Sequence, residues 1–294
     1  MDVSDPRPHD RPTVGVVVLT MNDRPREMAE ALASLRAQRG VELDIVVVGN
    51  GCVPEGVPDG LRTVSLPENV GIPEGRNVGA RHVAGEYLVF FDNDAVLPTV
   101  DALARLAAAL RADPELAYVQ PRIADPDGTT LRRWVPRLRS SDPGRGGVAT
   151  VMAEGVVLVR RSAFEEVGGW PGHFFLFHEG IDLAWRLWDH GYTGRYTPEV
   201  VVHHPATSPA RHDGFYRLTA RNRVWLARRN LPRVLVPLNL ASWLLLTLAR
   251  TRGHALRVSF QGFAEGWRGD YGRRAPMSWH TVRRLTRAGR PPLV

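Results

Sequence analysis

Glu86-Tyr-Leu-Val-Phe-Phe-Asp-Asn-Asp94 decides the fold. Five apolar or aromatic residues in a row are too few for a helix and read as a strand covered on both faces. The run stops on carboxylates at alternate positions, Asp92 and Asp94, which a persisting strand geometry points to one side. Upstream, Thr13-Val-Gly-Val-Val-Val-Leu19 and Leu43-Asp-Ile-Val-Val-Val48 are two further buried strands. Between them Met28, Leu32 and Leu35 have helical spacing over residues 25–38, and residues 74–84 and 99–111 read as helices. Strands alternating with helices predict an α/β fold: a Rossmann-like, mostly parallel sheet with flanking helices. In such sheets ligands bind beyond the carboxyl ends of the strands. Thr20-Met-Asn22, Gly49-Asn50 and Asp92-Asn93-Asp94 fall there.

Further along, residues 121–150 are rich in Pro, Gly, Ser, Asp and Arg and read as a loop near the site. Val156-Val-Leu-Val159 is another strand, 181–190 a helix, and 192–202 an extended segment closing a catalytic region over 13–214. Residues 1–12 carry three prolines and acidic residues and read as a disordered tail; no secretory signal is expected from them. The single cysteine, Cys52, excludes an internal disulfide framework and a multi-cysteine metal site.

Residues 215–294 differ in character. Residues 1–204 hold 21 Arg against 28 acids, a net −7, whereas 205–294 hold 17 Arg against 3 acids, a net +14; there is no lysine. A basic, aromatic helix is expected over 215–230, followed by 234–249, uncharged for 16 residues but interrupted by Pro237 and Asn239. A spanning helix needs about 20 apolar residues. The expectation is therefore a basic helical C-terminal region docked on an anionic membrane surface, with a buried core helix as the second reading and a true span as the third. No zinc-finger spacing or other nucleic-acid module stands out, so no nucleic-acid partner is expected.

Asp-x-Asp alone is common and often only caps a helix. Its place after a buried strand suits a divalent metal, Mn²⁺ or Mg²⁺, which neutralises charge developing on a diphosphate leaving group. The series of motifs resembles family 2 inverting glycosyltransferases with the glycosyltransferase A-type fold, in order over roughly residues 13–230. The matching segments are Thr20-Met-Asn-Asp-Arg24, Val46-Val-Val-Gly-Asn-Gly-Cys52, Glu68-Asn-Val-Gly71, Gly75-Arg-Asn-Val-Gly79, Tyr87 to Asp94, Arg160-Arg161 with Val167-Gly-Gly-Trp170, Phe174 to Arg186, and Pro198 to His203.

The resemblance implies a nucleotide-diphosphate sugar donor. Thr20, Asn22, Asn50, Asn69, Arg76, Asn77 and Asp92 would bind it, and Asp92, Asp94 and His203 would hold the metal, with His204 next in sequence leaving open which imidazole serves. The sequence departs from the family pattern twice. Gly180 stands where the family's base carboxylate is usual, which leaves Glu179, then Asp182, as catalytic base. Asp182, with Arg186 at i+4, also fits an ion pair. Gly49 stands where the family often has an Asp thought to read the nucleotide base, leaving that work to Asn50 or to backbone groups. Trp134, Trp170, His173 and Phe174 to Phe177 are candidates for an acceptor wall or for core. The expected function is transfer of a hexosyl or deoxyhexosyl unit to a glycan, lipid-linked glycan or secondary metabolite, at the cytoplasmic membrane face. The alternative is a sugar-nucleotide-binding scaffold without turnover. An oxidoreductase reading fails for want of Gly-x-Gly-x-x-Gly after the first strand.

Overall fold

A computed structural model describes residues 11–136, 142–153, 155–208, 210 and 214–293. Most of the expected tail, residues 1–10, and the middle of the expected loop, 137–141, lie outside the described residues.

β1 (Thr13–Thr20), β2 (Glu42–Gly49), β3 (Arg62–Ser65) and β4 (Tyr87–Asp92) form the parallel half of one sheet, in the order β3-β2-β1-β4. The sheet continues through β7 (Val156–Arg160), β5 (Leu116–Ala124), β8 (Thr193–His203) and β6 (Gly147–Ala149). β5 and β8 are parallel, while β7 and β6 run against their neighbours. The two-residue period of the strands divides the core. Val14, Val16, Val18, Tyr87, Val89 and Phe91 pack with α1 (Pro25–Arg36) and α3 (Ala102–Ala112). Val17, Leu88 and Phe90 face the other way, toward α2 (Ile72–Arg81), α4 (Arg161–Glu166) and α5 (Glu179–Asp189). Burial on both faces explains why these strands carry almost no polar residues.

Two boundaries differ from the sequence reading. The first four residues of the expected 121–150 loop continue β5, whose register with β8 shifts at Pro121/Arg122. A proline that cannot donate to the ladder is tolerated at such an irregularity. The helix expected at 181 begins at Glu179, so that residue stands in a helical first turn.

The C-terminal residues form α6 (Phe215–Asn230), α7 (Leu235–Arg250), α8 (Gly253–Arg268) and α9 (Trp279–Arg287). The change of sequence character at 215 is not a break in packing. Trp225, Leu226 and Ala227 of α6 and Leu285 of α9 belong to the same apolar cluster as Phe90 and Val157. α8 lies close on α6 because it presents glycines: a Cβ on Gly262 would come within 2.2 Å of the Arg217 carbonyl oxygen. Pro237 does not interrupt α7, since it falls in the first turn, where its missing N–H has no helical partner to lose. α7 buries Asn239 and Thr247, yet leaves Leu245 66% and Leu238 55% exposed. Among the described residues no helix is long and apolar enough to cross a membrane.

Candidate active site

The parallel strands β1, β2 and β4 end side by side, with Thr20 opposite Gly49 and Leu19 opposite Asp92. Past these ends opens a cavity of about 720 Å³, lined among others by Thr20, Asn50, Arg76, Asp92, Asp94, Glu179 and His204. It lies where open α/β sheets bind ligands, because strand ends release the chain into loops around a common crevice.

One carboxylate oxygen each from Asp92 and Asp94 and one ring nitrogen of His204 lie within 4.8 Å of one another. His204 Nε2 is 3.2 Å from Asp94 Oδ1 and 3.4 Å from Asp92 Oδ2. The imidazole in the site is therefore that of His204, and the expected His203 is corrected on this geometry. His203 ends β8, and its N–H and carbonyl both bond the Val96 backbone, which leaves the next residue to turn into the cavity. Burial disfavours a charged His204, but its hydrogen bonds to Asp92 and Asp94, and their charges, outweigh burial and push its pKa up to about 10. For Asp92, burial raises the pKa, and the His204 hydrogen bond with the nearby Arg76 overrides it, holding the carboxyl below its usual range. Two carboxylates and one imidazole are a donor set that suits Mn²⁺, and the carboxylates suit Mg²⁺.

Two arginines steady the carboxylates. Arg76 Nη2 donates to Asp92 Oδ1 at 2.8 Å, and its guanidinium lies 5.2 Å from the centre of the Trp170 ring. Arg24 pairs with Asp94. The sequence reading included Arg24 only as the end of the Thr20 to Arg24 motif; its place after a strand-end loop was the available signal.

Glu179 is buried and lines the cavity from the first turn of α5. The loop before it is held in an unusual shape: Phe175, Phe177 and His178 all have positive φ, 66°, 73° and 68°. Each such residue costs of order 1–3 kcal/mol and persists only where its surroundings enforce it. Here the fully buried Asn222 of α6 enforces it. Its Nδ2 donates to the carbonyls of Phe174, Leu176 and Phe177 at 3.0, 2.7 and 2.8 Å. Asp182 is fully buried and does not line the cavity. It accepts from Arg186 Nε at 2.7 Å, Arg229 Nε at 3.0 Å and Asn230 Nδ2 at 2.7 Å. That arrangement is an ion-pair hub joining α5 to α6.

The expected donor-binding asparagines hold loops. Asn22, itself at φ 58°, donates to the Val53 carbonyl and accepts from the Glu55 N–H. Asn50 accepts from Val70 N–H and donates to Asn69 and to the Gly71 carbonyl. Asn69 accepts from Gly71 N–H. Asn77 exchanges hydrogen bonds with the Trp170 backbone. Of these only Asn50 lines the cavity. Gly49 has a steric reason: a Cβ there would sit 2.1 Å from the Cys52 carbonyl oxygen. Of the aromatic residues, Trp134, stacked edge-on against His204, and Phe177 line the cavity. Trp170 packs on Phe90 and Phe164, and His173 and Phe174 pack on Trp225. The sequence reading missed Arg132, Arg133, His178, Arg223 and Arg290, which also line the cavity. No local motif marks the last two; they arrive from α6 and from the segment after α9.

The family described as "Glycosyl transferase family 2" matches over residues 15–168. The pre-mycofactocin glycosyltransferase of Mycobacterium tuberculosis is 26% identical over 220 residues, covering 69% of this chain and 45% of that protein. The N-acetylglucosaminyl-diphospho-decaprenol L-rhamnosyltransferase of the same organism is 31% identical over 166 residues, covering 45% of this chain and 51% of that protein. The chain thus spans about half the length of these relatives. The mannosyltransferase PcManGT from Pyrobaculum calidifontis, solved with GDP-Man and Mn²⁺, is similar with a TM-score of 0.59 and 22% identity, over 97% of this chain and 81% of that one. Likeness at that identity carries the fold alone, and the fold is the α/β architecture expected from the strand and helix pattern.

Proposed function

The chain belongs to glycosyl transferase family 2, and from that premise we propose that it transfers a sugar, with inversion, from a nucleotide-diphosphate donor to an acceptor hydroxyl. The observation that carries this reading is the meeting of Asp92, Asp94 and His204 with the buried Glu179 in one cavity at the strand ends. Asp92, Asp94 and His204 would hold Mn²⁺ or Mg²⁺, which when bound neutralises charge growing on the leaving diphosphate. Arg76, braced by Trp170, fixes the orientation of Asp92. Thr20 and Asn50 border the donor side. Glu179 takes the proton from the acceptor hydroxyl as that oxygen attacks the anomeric carbon; a base must stand within reach of that proton. Asp182 is not available for this work, since Arg186, Arg229 and Asn230 occupy its oxygens. The test is donor hydrolysis over a panel of nucleotide sugars with Mn²⁺. Turnover that disappears in Asp94→Ala and with chelator is expected; no turnover with any donor, or an unaffected Asp94→Ala, refutes the reading.

We also propose that the acceptor is met at an anionic membrane surface. α7 turns Leu238, Leu245 and Leu248 outward, and Phe260 and Trp267 of α8 are exposed as well. Arg233, Arg250, Arg252, Arg257 and Arg268 are exposed on the same helical segments. Apolar side chains beside arginines match lipid tails below anionic headgroups. The full chain is expected to sediment with phosphatidylglycerol vesicles and not with phosphatidylcholine vesicles, and Leu245→Glu to weaken this. Equal sedimentation with both lipids, or none with either, rejects it.

A further inference from the structure

Lining the same cavity is a group of polar side chains that the proposed donor chemistry does not use. His178 Nε2, Thr219 Oγ1 and Arg223 Nε are buried with no hydrogen-bond partner, and all three residues line the cavity, as does Arg290. Of the other arginines of this region, Arg186 and Arg229 pair with Asp182 and Arg217 and Arg221 with Glu265, while Arg228, Arg274 and Arg284 donate to backbone carbonyls. Among the described residues no carboxylate pairs with Arg223 or Arg290. The Arg223 guanidinium instead lies 3.9 Å from the centre of the Trp243 ring on α7. Burial, and then the neighbouring Arg250, bring the Arg223 pKa down to about 10, and burial lowers that of Arg290. Burial, followed by the charges of Arg223 and Arg290, lowers His178 to about 3, so its ring is neutral. Arg223 and Arg290 are half-buried on the cavity, with Arg223 Nε shut off from solvent and unpartnered, and a bound anion would offset the cost of holding these charges partly out of water.

We propose that His178, Thr219, Arg223 and Arg290 form a subsite for the phosphate or diphosphate of a lipid-linked acceptor. The proposal rests on Glu179 as the base, because His178 precedes it in the chain and a group bound there is on the acceptor side. Guanidinium forks suit phosphate oxygens, and a threonine hydroxyl adds a donor. The lipid part follows from the surroundings. Leu176, Phe177, Ile181 and Phe215 line the same cavity. Trp243, under Arg223, belongs to the helix that exposes its leucines. Arg290 is delivered by a C-terminal segment fastened to that helix, where Asn239 Nδ2 donates to the Pro292 carbonyl at 3.5 Å. An anion at the arginines therefore has an apolar path toward the proposed membrane face.

The test uses the full chain, titrated by calorimetry with farnesyl phosphate, farnesol and inorganic phosphate in the presence of chelator. UDP, GDP and dTDP with Mn²⁺ report separately on the donor side. Farnesyl phosphate is expected to bind at least ~10-fold more tightly than farnesol or inorganic phosphate. Arg223→Gln and Arg290→Gln should each weaken it at least ~10-fold, the loss of one charge-assisted contact, with Arg223→Lys between wild type and Gln. Nucleoside diphosphate binding should stay within ~2-fold in every variant, which also shows that each folds. Unchanged farnesyl phosphate binding in both Gln variants overturns the subsite. Inorganic phosphate binding as well as farnesyl phosphate overturns the lipid assignment. A loss that falls on the nucleoside diphosphates gives the arginines to the donor and overturns the acceptor assignment. Farnesyl phosphate binding through these arginines, in a chain that hydrolyses no donor, would reject the transferase reading and leave the subsite standing.

Discussion

Asn222→Ala separates the loop that carries Glu179 from the helix that shapes it. The Asn222 amide faces three carbonyls but has two protons, so one proton is shared. Phe174 keeps a second donor, Arg221 Nη2 at 2.7 Å, so the losses fall on the Leu176 and Phe177 carbonyls and on Arg221 Nε, which donates to Asn222 Oδ1 at 3.0 Å. Leu176 and Phe177 are half-buried, so each carbonyl that loses its donor costs toward the lower end of a range of about 1–3 kcal/mol, and the substitution costs roughly 2–4 kcal/mol. That is comparable with the strain of three positive-φ residues at about 1–3 kcal/mol each, so the loop no longer has to keep its shape. In urea denaturation the midpoint should fall without a change in slope. Turnover should fall at least ~10-fold, equivalent to about 1.4 kcal/mol in the barrier. Nucleoside diphosphate affinity with Mn²⁺ should move by less than ~2-fold, since the Thr20 and Asp94 side is untouched. An unchanged midpoint, or nucleotide affinity falling in step with turnover, refutes the assignment of Asn222 as a positioning residue.

Three other outcomes follow from the same geometry. His204→Ala should weaken Mn²⁺-dependent nucleoside diphosphate binding at least ~10-fold, the scale of disturbing a metal site, and His203→Ala should leave it within ~2-fold; the reverse order restores His203 to the site. Burial raises the pKa of Asp182, but Arg186 and Arg229 outweigh it and hold the carboxyl below its usual range. Its stabilisation is thus complete above an unfolded pKa of about 3.9 and is lost as pH falls through the lower folded value. Asp182→Asn should cost about 3–5 kcal/mol at neutral pH, with a gap to wild type that closes on acidification; a gap independent of pH in urea melts denies the ion-pair role. Gly49→Asp, which introduces the acid common in the family, should destabilise by about 1–3 kcal/mol through overpacking against the Cys52 backbone and the Pro54 ring. Tighter nucleotide binding in that variant would show that the loop yields.

Much of the site was legible because it is built from strand ends. Tyr87 to Phe91 are apolar since both faces are covered, and Asp92 and Asp94 follow because the strand leaves the core there. The asparagines were visible as a group but not by role. Whether an amide meets a ligand or a neighbouring loop depends on where residues 50, 69 and 71 converge, and sequence spacing does not give that. The choice between His203 and His204 turned on which residue of β8 is the last to pair with Val96, a matter of register across strands.

The sequence by itself determined the layered α/β order, the strand-end carboxylates and the basic, apolar character of the C-terminal region, because periodicity and local polarity are properties of neighbouring residues. Tertiary structure alone decided that Arg229 and Asn230 join Arg186 on Asp182, that Glu179 remains on the cavity, and that Arg223 and Arg290 reach the same cavity. These are meetings of segments some 40 to more than 100 residues apart. Packing of α6 and α9 against α5 brings them together. A charge's partner, and therefore its chemistry, is set by that packing and not by its neighbours in the chain.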